Sequence, residues 1–183
     1  MRFKRTRHGV EAKLDEVEAQ VLAQCAAELL ELLGEPEDVT GDPLEALVGL
    51  PPGEVSTPDD PAVARLFPAA YGDDVAAAQE FRRFTESDLR AGKRAAASQA
   101  LVSLQPLLGV GGKLALDRDE ADLWLSWLND IRLVLGTRLE VTEDAFEDDL
   151  DPDDPNAQVM AIYGWLGWLQ ESLLSCLEPR PQA

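Results

Sequence analysis

The chain has 183 residues, of which 45% are hydrophobic, and its 35 acidic and 16 basic residues give a formal net charge of −19. This negative field repels phosphate backbones and anionic lipid surfaces, so the composition disfavours a conventional DNA-binding or membrane-binding face. Two cysteines are too few for the disulfide framework of a secreted domain, and no segment approaches the ~20 apolar residues of a membrane span. We therefore expect one cytoplasmic domain over residues 1–183, with no membrane contact.

Residues 1–9 are predicted to form a basic N-terminal arm. Its cations lie within the first seven positions, where the sequence has no acid: Arg2, Lys4, Arg5 and Arg7. Because the rest of the chain is still more acidic, this arm is the one segment that we expect to contact phosphate. DNA would then be bound only indirectly or through the arm.

The first predicted helix follows this arm. Apolar residues at steps of three and four from Val10 to Leu32 are typical of an amphipathic helix, here over residues 10–33. Gly34 directly follows the last apolar position and is expected to end the helix. Cys25 lies on the apolar face and is therefore predicted to point towards the core.

A proline-rich segment comes next and is expected to contain two short helices joined by turns. An aspartate precedes a proline at 42–43 and again at 60–61. Aspartate is a favoured N-cap residue and proline is favoured at the first helical position, so each pair marks a helix start. The sequence therefore predicts short helices over residues 43–49 and 61–67.

Two longer helices are predicted in the middle of the chain. The alanine-rich residues 75–104 predict either one long helix or two helices that meet near Gly92. Asp117 and Glu120 form a capping-box pattern in front of a broad apolar face that includes two tryptophans. This second helix, over residues 118–135, is predicted to lie at the centre of the core.

The remaining segments complete the predicted fold. Alternating side chains over residues 113–116 and 138–141 predict two short strands, which would pair as a ribbon. Residues 143–154 contain eight acids in twelve positions and are expected to form a solvated acidic loop, followed by a last helix over residues 155–177. The expected fold class is mainly α, an irregular bundle of about five to seven helices with one two-stranded β-ribbon.

The residue inventory does not favour catalysis. His8 is the single histidine, so a zinc site or a Ser-His-Asp arrangement lacks its parts. The glycines at 109, 111 and 112 precede a predicted strand, which is the wrong order for a phosphate cradle, and the acidic run lacks the spacing of a calcium loop. We predict no catalytic residue, no metal ligand and no cofactor, and we expect a protein that binds another macromolecule rather than an enzyme.

Polar residues that interrupt or flank the predicted core helix are the first candidate site, and they are Asn129, Asp130, Arg132 and Arg138. Such groups must be paired if they are buried. Either they contact a ligand or a protein, or they form an internal network, for example between Asp130 and Arg82 or Arg83. The sequence favours the internal network and leaves contact roles for Arg132 and Arg138 open.

The last helix contributes a second candidate. Trp165 lies off its main apolar stripe and is predicted to be the most exposed of the four tryptophans, at the surface or in an interface. Gly164 and Gly167 flank it and would let another helix approach closely. A homodimer is therefore left open.

The two cysteines have two interpretations. Cys25 and Cys176 both lie on apolar helix faces, where free cysteine is commonly a small buried side chain. If the first and last helices pack side by side, the two thiols could instead form a reversible disulfide that responds to oxidants, which needs Cα atoms within ~7 Å. The sequence favours the first interpretation.

Several segments together resemble a known family. They are ARLFP at 64–68, EFRRFTE at 80–86, WLSWLNDIRLVLGTRL at 124–139 and YGWL at 163–166. The chain resembles, over nearly its whole length, an uncharacterised family of high-GC bacteria that is encoded beside the Clp protease adaptor ClpS. That family includes the AosR-type regulators of oxidative stress.

The resemblance implies a regulator of transcription. It implies a protein that works with a stress sigma factor and RNA polymerase to raise the expression of genes for cysteine synthesis, and it is consistent with a redox role for the cysteines. An acidic helical protein is also expected to meet a basic protein surface more readily than DNA. The alternative is an adaptor or accessory protein of the Clp protease or of sulfur-carrier cysteine synthesis.

Overall fold

The computed structural model describes residues 1–35, 58–71, 74–141 and 154–178. The predicted helix over residues 43–49 lies outside these ranges, as does the predicted acidic loop except for its last residue. The described elements, in chain order, are β1 (Lys4–Arg5), β2 (Val10–Leu14), α1 (Glu16–Leu33), α2 (Pro61–Leu66), α3 (Val75–Leu104), a 3-10 turn (Gln105–Leu107), β3 (Gly112–Leu116), α4 (Arg118–Arg138) and α5 (Ala157–Leu177). The fold is mainly α with a small β element, which confirms the expected class.

The predicted two-stranded ribbon is wrong in its pairing. β3 forms where a strand was expected, but it pairs antiparallel with β2, with Ala12 opposite Leu114, and β1 completes a three-stranded sheet in the order β1-β2-β3. The other predicted strand, over residues 138–141, is absent because α4 continues to Arg138 and ends in a turn. A run of four alternating residues carries no information about its partner strand, which is set by the rest of the core.

The start of the first helix is also corrected. Residues 10–14 form β2, whose buried side chains alternate with more accessible ones, and α1 begins only at Glu16 after an Asp15 capping box. Val10 and Leu14 fit a four-residue helical step as well as a two-residue strand step, so periodicity alone assigned them to the helix. Val17, one of the apolar residues assigned to the predicted face, is 70% exposed, because α1 buries a face that contains Ala19, Leu22 and Ala26 instead.

Residues 1–9 are a folded strand and turn rather than a free basic arm. The Phe3 side chain is buried, and its N–H donates to Ser172 Oγ on α5 at 3.1 Å. The Arg5 guanidinium donates to the Cys176 carbonyl at the end of the same helix at 2.6 Å. Gly9 makes the turn to β2 with a φ of 156°, and a Cβ there would lie 2.0 Å from the Leu116 carbonyl oxygen. The N-terminus is thus held against α5 and β3.

The long helix α3 is continuous through Gly92, which decides between the two alternatives for residues 75–104. Asp74 caps α3, and Asp60 caps α2 directly before Pro61, as the Asp-Pro pattern predicts. The predicted core helix is α4, which packs on α2, α3 and α5 and buries Trp124 and Trp127 completely. The helix α1 packs chiefly on α3. Among the helices of the described ranges, none is long and apolar enough to cross a membrane.

Candidate functional site

The N-terminal half of α3 exposes large apolar side chains. Between the end of α2 and the middle of α3, five of them are 42% to 65% exposed: Tyr71, Val75, Phe81, Phe84 and Leu89. We call these five residues the α3 surface. The C-terminal half of α3 instead buries small side chains, Ala96, Ala97 and Ala100, against its neighbours. The helix is therefore a core helix at one end and a surface helix at the other.

A groove runs along the α3 surface. Its volume is about 260 Å³, and it lies between the segment of residues 67–70 and α3. The Phe81 and Leu89 side chains line it, and the Phe81 ring contacts the Tyr71 ring edge to face with centroids 5.6 Å apart. Phe81 and Phe84 are three residues apart on the helix and are therefore neighbours on its surface. The groove offers an apolar strip with aromatic side chains beside it.

A network of charged side chains fixes the groove. Arg82 is 8% exposed, donates to the Phe67 carbonyl at 3.1 Å and pairs with Glu86 at 3.4 Å. Glu86 also accepts from Arg90 at 2.6 Å, and Arg90 donates to the Leu33 carbonyl at the end of α1. The Arg90 guanidinium lies 4.6 Å from the centre of the Phe67 ring. These contacts hold Phe67 and the end of α1 onto α3, beside the groove.

Asp130, one of the predicted candidates, belongs to the core instead. It is 2% exposed and accepts from Lys93 Nζ at 2.6 Å across the α3–α4 interface. Burial raises the pKa of the Asp130 carboxyl, and the hydrogen bond and charge of Lys93 oppose that shift. The predicted partners Arg82 and Arg83 are therefore wrong, because Arg82 is engaged by Glu86 and the segment before α3.

The other members of that polar group point to different places. Asn129 is exposed. Arg132 donates to Gln170 Oε1 on α5 at 2.5 Å and lies over the Tyr163 ring, 5.2 Å from its centre. Arg138 forms an exposed ion pair at 3.3 Å with Asp60, the N-cap of α2. The four residues thus do not make one site, although Arg132 lines a separate pocket.

The order of tryptophan exposure differs from the prediction. Trp168 is 47% exposed, whereas Trp165 is partly buried against the core. Gly167 beside it makes room for the Arg132 guanidinium, since a Cβ there would lie 3.3 Å from Arg132 Nε. The predicted role of that glycine in admitting another helix is therefore corrected to an internal packing role.

The two cysteines are free thiols in the structure. Cys25 is buried on α1, and burial, followed by the charge of Glu28, raises the pKa of its thiol from 9.0 to about 11. Cys176 is half-buried on α5. The helix α1 packs chiefly on α3, whereas α5 packs on α4 and β1, so the side-by-side packing that the disulfide hypothesis required is not found.

The basic residues at the N-terminus divide into two sets. All four are exposed, but only Arg5 donates to carbonyl groups at the end of α5, whereas Arg2, Lys4 and Arg7 do not. Within the described ranges, no group of three or more acidic, histidine or cysteine side chains could hold a metal ion.

Sequence reasoning did not identify the α3 surface. The available signal was the uneven distribution of side-chain size, with both phenylalanines in the first half of residues 75–104 and five of the eight alanines in the second. Alanines allow close helix packing, whereas bulky apolar residues among charges in the same helix indicate a face without a partner in the domain.

Comparisons with known proteins agree with the resemblance in the sequence. A family model described as a domain of unknown function, DUF2017, matches residues 1–177. The chain is 32% identical over 174 residues to the oxidative stress regulator AosR of Mycobacterium tuberculosis strain H37Rv. The alignment covers 87% of this chain and 78% of that protein. The oxidative stress regulator AosR of Mycobacterium bovis has the same identity and coverage. No solved structure matches the chain.

Proposed function

We propose, on the premise that the chain belongs to the DUF2017 family, that it is an oxidative-stress regulator that acts by binding the transcription machinery, a stress sigma factor or RNA polymerase. The names of the mycobacterial relatives support the first part of the proposal. The observation that carries the second part is the α3 surface, because it offers a protein partner an apolar face with aromatic side chains.

The composition of the α3 surface is that of a protein-binding patch. Aromatic residues are enriched in protein interfaces, and the residues that dominate binding energy lie in apolar patches with polar surroundings. Here Phe81 and Phe84 are accessible, and Arg82 and Glu86 border the groove. Because Glu86 and Arg90 already hold the groove in shape, binding would require little ordering of this region.

The net charge supports a basic partner. A charge of −19 accelerates encounter with a positively charged protein surface and slows encounter with a nucleic acid. DNA would therefore be reached through the protein partner, or through the exposed Arg2, Lys4 and Arg7. The face that meets the partner is apolar, so charge would guide the approach and the α3 surface would provide the affinity.

The experiment is a pull-down of purified stress sigma factor and of RNA polymerase, each at two salt concentrations, followed by titration calorimetry on whichever binds. The test variant is Phe84→Ala with Leu89→Ala, which removes two exposed side chains of the α3 surface. The matched control is Val102→Ala with Val110→Ala, which removes two side chains that are 63% and 76% exposed elsewhere. Circular dichroism of both variants checks that the fold is retained.

We expect the test variant to bind at least about tenfold more weakly and the control to bind as the wild type does, since interface aromatic residues carry most of the energy. Unchanged binding by the test variant would show that the partner uses another face. Absence of binding to both the sigma factor and the polymerase, with Clp or cysteine-synthase components recovered from lysate, would replace the proposal with the adaptor function.

A further inference from the structure

A second pocket lies at the C-terminal end of α4, away from the α3 surface. Its volume is about 380 Å³, within the range of small-molecule sites. Its charged lining residues are Arg65 at the end of α2, Arg132 on α4 and Glu140 in the turn after α4. The rest of its lining includes the apolar side chains of Leu133 and Val141 and the ring of Tyr163 on α5. The pocket thus combines two cations, one anion and an apolar wall.

The charges that line this pocket are not paired with one another. Arg82, Arg90, Arg94, Arg118 and Arg138 each form an ion pair with an acid. Neither Arg65 nor Arg132 does so among the described residues, although acids outnumber bases by two to one. Glu140 likewise has no ion pair with either arginine. The carboxylate and the guanidinium groups therefore border the same space without neutralising each other.

Three local features around the pocket are unfavourable for folding. Glu140 has a φ of 52°, the left-handed conformation that favours glycine, in a Schellman turn closed by the bond from the Val141 N–H to the Gly136 carbonyl at 3.0 Å. Gly136 itself lies inside a helix, where glycine destabilises relative to alanine. Arg132 Nε is buried without a hydrogen-bond partner. Unfavourable features that cluster around one cavity are typical of functional sites.

The two helical glycines explain how the wall is built. A Cβ at position 136 would lie 3.3 Å from Tyr163 Cε2, and a Cβ at position 167 would lie 3.3 Å from Arg132 Nε. Both glycines therefore leave room for the Arg132 guanidinium to lie over the Tyr163 ring while it donates to Gln170. The guanidinium is fixed in place before any ligand arrives, which favours binding.

We propose that this pocket binds a free α-amino acid with a small apolar side chain. Its carboxylate would accept hydrogen bonds from Arg65 and Arg132, and its ammonium would donate to Glu140, so that one molecule satisfies both signs of charge. Its side chain would lie against Leu133 and Val141. This site is separate from the α3 surface, and its ligand is independent of the identity of the protein partner.

The test is titration calorimetry of the whole chain with alanine and valine, compared with acetate, which has only the carboxylate, and methylamine, which has only the ammonium. We expect dissociation constants for the amino acids below about 1 mM, and binding of acetate and methylamine at least about tenfold weaker. Arg65→Ala should weaken amino-acid binding at least about tenfold, because Arg65 is exposed and its loss leaves the core intact. Arg7→Ala, a change at an exposed arginine outside the pocket, should leave it unchanged.

Glu140→Gln supplies the decisive second variant, since it removes the charge and keeps the size of the side chain. The proposal requires weaker amino-acid binding in this variant. Acetate that binds as tightly as alanine, together with tighter acetate binding by Glu140→Gln, would show a plain anion site and overturn the proposal. The absence of any heat or thermal shift with amino acids up to about 10 mM would overturn it as well.

Discussion

Lys93 and Asp130 form an ion pair that joins two packed helices of the domain, α3 and α4, with 2.6 Å between Nζ and Oδ1. Since Asp130 is 2% exposed, removal of Lys93 would leave a buried carboxylate without its charge partner. We expect Lys93→Ala to lower the free energy of unfolding by about 3 kcal/mol in urea titrations. Lys113→Ala, which breaks an exposed pair with Glu11, should lower it by no more than ~0.5 kcal/mol. Equal losses would show that Asp130 is solvated or finds another partner.

The tryptophans should differ in their contribution to stability according to their burial. Trp127 is fully buried on α4 and Trp168 is 47% exposed on α5. Trp127→Ala is expected to lower the free energy of unfolding by ~3 to 5 kcal/mol, and Trp168→Ala by about 1 kcal/mol or less. Trp165→Ala should fall between them because its ring is partly buried. Denaturant titrations that rank Trp168 above Trp127 would contradict the orientation of both helices.

Glu140→Gly should stabilise the domain. A left-handed residue with a Cβ is strained by roughly 1 kcal/mol, and glycine removes that strain at φ 52°. We expect a gain of about 1 kcal/mol in thermal or urea unfolding. The matched control is Glu171→Gly on the exposed side of α5, where the same substitution should cost about 1 kcal/mol. The same sign in both variants would argue against the Schellman turn after α4.

The raised pKa of Cys25 makes stability depend on pH in the alkaline range. The folded-state value of about 11 exceeds the ordinary 9.0, so the folded protein keeps the proton longer than the unfolded chain does. The associated stability is therefore fully present below pH 9 and is lost as the pH rises towards 11. We expect the free energy of unfolding of the wild type to fall over this range relative to Cys25→Ala. Cys176→Ala, which retains Cys25, should show the same fall as the wild type.

Mild peroxide is expected to leave both thiols unpaired within one chain. The thiolate is the reactive form, and Cys25 is protonated near neutral pH, buried and on a helix that does not pack side by side with that of Cys176. Intact mass and thiol counts after denaturation measure this. A loss of two mass units that either Cys25→Ser or Cys176→Ser abolishes would restore the disulfide switch that the sequence left open.

The sequence by itself determined the helices that carry local end signals. Two helix starts are marked in this way, by Asp117 with Glu120 and by Asp60 with Pro61, and the structure has a helix beginning at each. The sequence suffices here because a helix cap is a contact between residues two or three positions apart. Burial of Trp127 followed in the same way, since a broad apolar stripe on one long helix must face the core. The family was visible as well, because long contiguous segments carry that resemblance.

Only the tertiary structure decided which elements meet. The pairing of β3 with β2 joins residues about a hundred positions apart, and Lys93 reaches Asp130 across the interface of two helices, so neither partner is encoded near the residue it contacts. Periodicity shows which face of an element is apolar, but what covers that face depends on the arrangement of all the others. For the same reason the sequence does not show that Phe84 is exposed or that Arg65 and Arg132 line one pocket. Both features follow from how α2, α3 and α5 pack on α4.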